Sequence, residues 1–123
     1  ELTDPVLLFL LVDTGHAYYA GDDPLSIVQK YGPRIRNVHL KDIRQEILDI
    51  VHSKKMNFLD SVKAGIFTVP GDGCIDFLPI FKALAEGGYQ GWFVVEAEQD
   101  PDKAKPLEYA IMARNFIRKN TGI

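Results

Sequence analysis

An α/β fold built on a parallel sheet is predicted by three features of this 123-residue sequence. Short apolar runs alternate with segments of helical period. The run at 6–12 is too continuous for a strand that faces water on one side, and so reads as a strand covered on both faces. Each run also finishes in or beside a polar residue able to do chemistry. The order is strand, helix, strand, helices, strand, helix, as expected of parallel strands joined by right-handed crossovers.

The first strand is expected at residues 6–12, the unbroken run Val-Leu-Leu-Phe-Leu-Leu-Val that ends at Asp13. A polar turn through Gly21 leads to Asp22-Asp23-Pro24, which offers an N-cap and a first-turn proline. Leu25, Ile27, Val28 and Tyr31 then predict a short helix stopped at Gly32. Residues 35–40, Ile-Arg-Asn-Val-His-Leu, predict the second strand, and Lys41 and Asp42 are read as its end. Polar residues in the middle of that strand are odd for a core position unless they face a site. Ile43, Ile47, Ile50, Val51, Phe58, Leu59 and Val62 recur at helical spacing, so residues 43–64 read as one helical stretch halted by Gly65. Residues 69–74, Val-Pro-Gly-Asp-Gly-Cys, form a loop because proline and paired glycines break both regular structures. Asp76 caps a helix with Phe77, Ile80, Phe81 and Leu84 on its apolar face, closed by Gly87-Gly88. Trp-Phe-Val-Val at 92–95 predicts the third strand, ending in Glu96. After an acidic turn at 98–102, a last helix carries Leu107, Tyr109, Ala110, Met112, Ala113, Phe116 and Ile117 and stops at Gly122.

Three strands alone make a poor parallel sheet, since both faces and both edges need covering. Glu1-Leu2-Thr3 reads as the tail of a helix, and no methionine opens the sequence. The expectation is a piece of a longer polypeptide.

Composition narrows the function. With 46% hydrophobic and 25% charged residues the chain resembles an ordinary soluble domain. Fourteen basic residues against 17 acidic ones, net charge −3, and no Lys/Arg cluster argue against nucleic acid as a partner. The longest apolar run is far short of the roughly twenty residues a bilayer demands, and no charged, cleavable leader precedes it. A soluble, cytoplasmic protein is expected. The single cysteine, Cys74, permits no internal disulfide and has no histidine near it in sequence to make it a nucleophile.

Asp13, His39 and Glu96 sit at or near the ends of the three expected strands. In parallel α/β folds the carboxyl ends of strands share one rim, so such residues converge. Two carboxylates and an imidazole suit Mn²⁺, Co²⁺, Fe²⁺ or Mg²⁺ better than a thiolate-rich zinc site does. Singly, each has a plain alternative: an aspartate capping a turn, a histidine bonded internally, a solvated glutamate. Their recurrence on three strands is what favours a metal. His16 is either a substrate hydrogen-bond donor in the same cleft or a surface turn histidine. Lys41 either stabilises an enolate and moves a proton or pairs with a neighbouring helix. Arg44 either binds a substrate oxygen or is an exposed helix-start arginine. His52 reads as a solvated face, and the Tyr18-Tyr19 pair as core packing or a rim contact. The Gly71-Asp72-Gly73 loop lacks the lysine and spacing of a phosphate-binding loop, so no nucleotide site is expected.

The segments D-T-G-H at 13–16, N-V-H-L-K-D at 37–42, F-T-V-P-G-D-G-C-I-D-F at 67–77 and V-V-E-A-E-Q-D-P at 94–101 resemble the xylose-isomerase-like superfamily of TIM barrels, and within it the inosose dehydratase family. The resemblance runs over nearly the whole chain. It implies that residues 1–123 are the C-terminal part of one TIM (β/α)8 barrel domain, about three βα units of eight. Members of the superfamily hold one divalent metal with Glu, Asp, His and Glu from the last four strands. Asp13, His39 and Glu96 match three of these, and the remaining Glu falls upstream of Glu1. The implied chemistry is dehydration of 2-keto-myo-inositol to a trihydroxycyclohexanedione with Mn²⁺ or Co²⁺. Glu96 or the upstream Glu is implied as base and Lys41 or His16 as general acid, with His16 and Lys41 toward the substrate. Related epimerases carry an Arg shortly after the metal His, closely followed by the Pro-Gly segment. Here about thirty residues separate His39 from Pro70, which loosens the transfer of that role to Arg44. A sugar isomerase or epimerase on the same barrel, or a catalytically incomplete piece with a binding role, is the competing expectation. The expected partners are a small polyol, and either a second copy or the rest of the barrel.

Overall fold

A computed structural model of the protein describes residues 3–123. Glu1 and Leu2, expected to end a helix, lie outside the described residues, and Thr3 sits in a bend. Strands β1 (Leu10–Asp13), β2 (Ile35–Leu40) and β5 (Trp92–Val95) form a parallel sheet in the order β1-β2-β5. Asp13 lies opposite His39, and His39 opposite Val94, so the three strand ends fall side by side. Helices α2 (Pro24–Tyr31), α5 (Phe77–Glu86) and α6 (Pro106–Thr121) pass between or follow the strands.

Burial alternates along β2. Val38 and Leu40 are fully buried against the helices, within a core that includes Val12, Val28, Ile80, Phe81, Leu84 and Ile117. A fully buried side chain of this size contributes about 1.5–3 kcal/mol over an exposed one. Asn37 and His39, pointing the other way, are only half-buried, and Leu11, Trp92 and Val94 are exposed. The sheet therefore has one covered and one open face.

Several expected elements take a different form. The apolar run at 6–12 becomes a strand only from Leu10, while Val6 and Leu7 are exposed in a turn closed by the Asp4 carboxylate, which accepts from the Val6 N–H at 2.7 Å. A strand extends only where a neighbour offers ladder bonds. β2 supplies none before Ile35, the partner of Leu10. The turn after Asp13 contains a further helix, α1 (Thr14–Tyr19), capped by the Asp13 carboxylate, which accepts from the His16 N–H at 2.9 Å.

Lys41 and Asp42 do not lead out to the surface. Both are buried, and Asp42 opens a short strand, β3 (Asp42–Ile43), antiparallel to β4 (Phe67–Thr68). The expected helix at 43–64 is two helices, α3 (Gln45–Lys54) and α4 (Phe58–Lys63). Lys55 turns left-handed at φ 50, and the Asn57 side chain caps α4 by accepting from the Asp60 N–H. Of the apolar residues that suggested one helix, Val51 is buried while Ile50, Phe58 and Leu59 are exposed. The helices at 24–31, 77–86 and 106–121 have the caps expected for their starts or ends: the Asp23 carboxylate accepts from the Leu25 and Ser26 N–H groups, Asp76 from Leu78, and Gly122 ends α6.

Candidate metal centre

The strand ends bring Asp13, His39 and Glu96 together. One ligand atom from each lies within 4.8 Å of the other two. His39 Nδ1 is 2.6 Å from Glu96 Oε2 and 3.6 Å from Asp13 Oδ2. Carboxylate and imidazole donors stand roughly 2.0–2.2 Å from a bound ion, which puts any two of them within roughly 4.4 Å of each other. Both separations from His39 fall inside that span, and all three donor atoms lie within 4.8 Å of one another. Two residues before His39 on the same face of β2, Asn37 Oδ1 is buried with no hydrogen-bond partner among the described residues, an acceptor of the kind that a ligand hydroxyl or a water fills.

Lys41 is beside this cluster and has no exposed side-chain surface. Its Nζ lies 2.8 Å from His16 Nε2, 2.9 Å from Glu98 Oε2, 3.4 Å from Asp13 Oδ2 and 3.7 Å from Glu96 Oε1. The ammonium also sits 4.9 Å from the centre of the Phe67 ring. A charge this deeply buried persists only when paired. The formal balance is informative: Asp13, Glu96 and Glu98 against Lys41 leave a surplus of two negative charges with both imidazoles neutral. That surplus matches a divalent cation, and the mixed oxygen and nitrogen donor set fits one chemically.

The sequence positions these groups through short-range devices. Thr14, fully buried, ties the start of α1 to the end of β2. Gly15 is required by close approach: a Cβ there meets Lys41 Cγ at 2.6 Å and Lys41 Cβ and Cδ at 2.9 Å. Asp42 accepts from the N–H groups of Ile43, Gly71, Gly73 and Ile75 at 2.8–3.2 Å and so pins the loop at 69–74 beneath the site. Burial pushes its carboxyl above the usual carboxylate range, against the pull of those four donors.

Of the residues singled out in the sequence, Asp13, His16, His39, Lys41 and Glu96 share one cleft. Arg44 is not brought to it. Its guanidinium donates to the carbonyls of Gly65 and Phe67 at 2.7 and 3.1 Å, to Thr68 Oγ1 at 2.9 Å and to Asp72 Oδ2 at 3.0 Å. These partners, and Tyr109 Oη on α6 at 3.5 Å, are all protein oxygens, so Arg44 braces β4, the loop that follows and α6. Tyr19 packs edge-on against Phe58 and at a tilt against Phe67, and His52 lies exposed on α3.

Glu98 was legible only as part of an acidic turn; it lies beyond β5, which ends at Val95, and its left-handed backbone at φ 44 is not something strand spacing announces. Thr14 and Gly15 carry no signal of their own outside the D-T-G-H segment.

This site occupies the carboxyl-terminal rim of parallel strands, and residues 2–120 match the xylose isomerase-like TIM barrel family. The chain belongs to that family. Inosose dehydratase of Clostridium tetani is 58% identical over 123 residues, covering 100% of this chain and 41% of that protein. Inosose dehydratase of Bacillus anthracis is 58% identical with the same coverage, and that of Clostridium beijerinckii 57% over 122 residues. The chain thus spans about 41% of the length of these curated relatives. Among solved structures, a sugar phosphate isomerase/epimerase from Parabacteroides distasonis superposes with TM-score 0.67 at 22% identity, covering 94% of this chain and 32% of that one. A xylose isomerase domain protein from Alicyclobacillus acidocaldarius superposes with TM-score 0.64 at 24% identity, covering 93% and 37%. These likenesses carry the fold. In a xylose isomerase-like barrel the rim holding Asp13, His39 and Glu96 is the face on which active sites are built. No helix among the described residues is long and apolar enough to cross a membrane.

Proposed function

We propose that this chain supplies three βα units, and three of the metal ligands, to a barrel lyase that removes water from 2-keto-myo-inositol and yields a trihydroxycyclohexanedione. The observation that carries the reading is the convergence of Asp13, His39 and Glu96 beside a buried Lys41, in a chain 58% identical to proteins named inosose dehydratase. Mn²⁺ or Co²⁺ is the proposed ion, held by Asp13, His39 and Glu96, with a fourth ligand from a preceding strand of the longer polypeptide. Bound there, such an ion polarises a ketone and acidifies the adjacent C–H.

The protein groups then have distinct tasks. Glu96, or the upstream carboxylate, takes the proton from the carbon next to the ketone. The hydroxyl one carbon further leaves as water once Lys41 or His16 delivers a proton to it, and the resulting enol rearranges to the second ketone. His16 and Lys41 are the proposed contacts for the substrate hydroxyls as well as the proposed source of that proton, a reading supported by their 2.8 Å approach to each other beside the donor cluster. Arg44 acts behind them by fixing the loop at 69–74. The rest of the barrel is the proposed partner for the open sheet face and its free edges, with a small polyol as ligand, no nucleic acid, and the cytoplasm as location.

The test uses the full polypeptide with scyllo-inosose and added Mn²⁺ or Co²⁺. Water loss should appear by proton NMR as the diketone, and Asp13→Ala and His39→Ala should each abolish it and lower the bound metal by more than the roughly 10–100-fold loss typical of an outer partner. A new stereoisomer formed without water loss would establish the isomerase alternative instead. Absence of metal binding in the unmodified protein would remove the lyase reading.

A further inference from the structure

The geometry points to Glu98 as the residue that keeps the Lys41 ammonium out of the cation position formed by Asp13, His39 and Glu96. The inference rests on the cation-holding role proposed above and assigns a positioning residue to it. Lys41 cannot escape to solvent: its side chain is fully buried, its stem lies against Gly15, and its ammonium faces the Phe67 ring. Inside that enclosure it has three carboxylates to choose from, and two of them, Asp13 and Glu96, belong to the donor cluster.

Glu98 decides the choice. A charge-assisted N–H···O bond is about 2.7–2.9 Å long. Glu98 Oε2 is at 2.9 Å, whereas Asp13 Oδ2 at 3.4 Å and Glu96 Oε1 at 3.7 Å are left free of a direct bond to the ammonium. Glu98 is itself outside the three-donor cluster, so the pairing consumes no ligand. The backbone at Glu98 is held at φ 44, a conformation side-chain-bearing residues adopt rarely. Lys55, the other such residue among those described, ends a helix in the ordinary left-handed way. Glu98 follows a strand and ends no helix, and what its conformation accompanies is the carboxylate's contact with Lys41. Without that carboxylate, the ammonium's nearest anions are the two ligands, and it competes with the ion for them.

The probe is Mn²⁺ alone, titrated calorimetrically into the full polypeptide. Glu98→Gln should weaken Mn²⁺ binding by about tenfold, the scale of an outer-partner loss. Lys41→Met in the same protein should restore it to within about twofold of the Lys41→Met single variant. Glu98→Asp keeps the charge but shortens the arm by one methylene, and should also weaken binding. Unchanged affinity in Glu98→Gln overturns the inference. So does a Glu98→Gln/Lys41→Met double variant that binds no better than Glu98→Gln, the result expected of a merely structural role. Full affinity in Glu98→Asp also overturns it by reducing Glu98 to a net-charge effect. If the unmodified protein binds no Mn²⁺, this inference and the lyase reading fall together; if it binds Mn²⁺ and dehydrates inosose while Glu98→Gln binds equally well, only this inference falls.

Discussion

The Thr14 hydroxyl is bonded to both main-chain groups of Lys41, accepting from its N–H at 3.0 Å and donating to its carbonyl at 2.7 Å. One side chain therefore fastens the segment after β1 to the segment after β2 at the point where Asp13 and His39 must meet. All of this lies in a region with no exposed surface at either residue, so the main-chain groups have no water to fall back on.

Thr14→Val keeps the shape and removes both bonds. It should destabilise the protein by about 2–4 kcal/mol, given roughly 1–3 kcal/mol for each buried main-chain group left unpaired. Thr14→Ser should recover most of that. Urea midpoints at unchanged m-value measure the effect, and a loss below about 1 kcal/mol for Thr14→Val would contradict the account.

Arg44→Lys replaces a planar fork that reaches five oxygens, on Gly65, Phe67, Thr68, Asp72 and, at 3.5 Å, Tyr109, with a single point charge. The expected cost is about 1–3 kcal/mol, concentrated in the loop. Amide exchange at Gly71 and Gly73 should quicken while that of core residues in α5 stays as it was. Uniform acceleration throughout the chain would argue against a local brace.

Asp23 predicts a pH dependence. The Ser26 hydroxyl, with help from the N–H groups of Leu25 and Ser26, holds its carboxyl below the usual carboxylate value. The unfolded chain therefore binds this proton more readily than the folded one, and stability from the cap is present above the ordinary value and lost as pH falls through the lowered one. The stability gap between the unmodified protein and Asp23→Ala should shrink between pH 7 and pH 3. Asp42 acts with the opposite sign: its raised carboxyl favours the folded state at acid pH, and that share is lost as pH rises through the raised value. A gap for Asp23→Ala that widens on acidification would refute the capping account.

Much of this was legible in residue order. The runs at 35–40 and 92–95 announce strands, and Asp23-Pro24 and Asp76 announce helix starts, because these signals act over a few residues; the cover expected on both sheet faces is present on only one among the described residues. The placement of Asp13, His39 and Glu96 at strand ends followed from the rule that parallel strands share a rim. Expectations failed where a distant partner decides local form. Val6 and Leu7 have strand composition but no neighbouring strand, and Ile43 has helical spacing but pairs with Phe67 across the chain.

The sequence by itself therefore determined the α/β alternation, the helix caps and the donor types, all properties of adjacent residues. Only the tertiary structure decided that Lys41 is buried among three carboxylates, that Glu98 takes its ammonium and that Arg44 turns to protein oxygens. Those outcomes depend on which unpaired charges and main-chain groups meet after packing, a choice made across a sequence separation of 57 from Lys41 to Glu98 that no local pattern records.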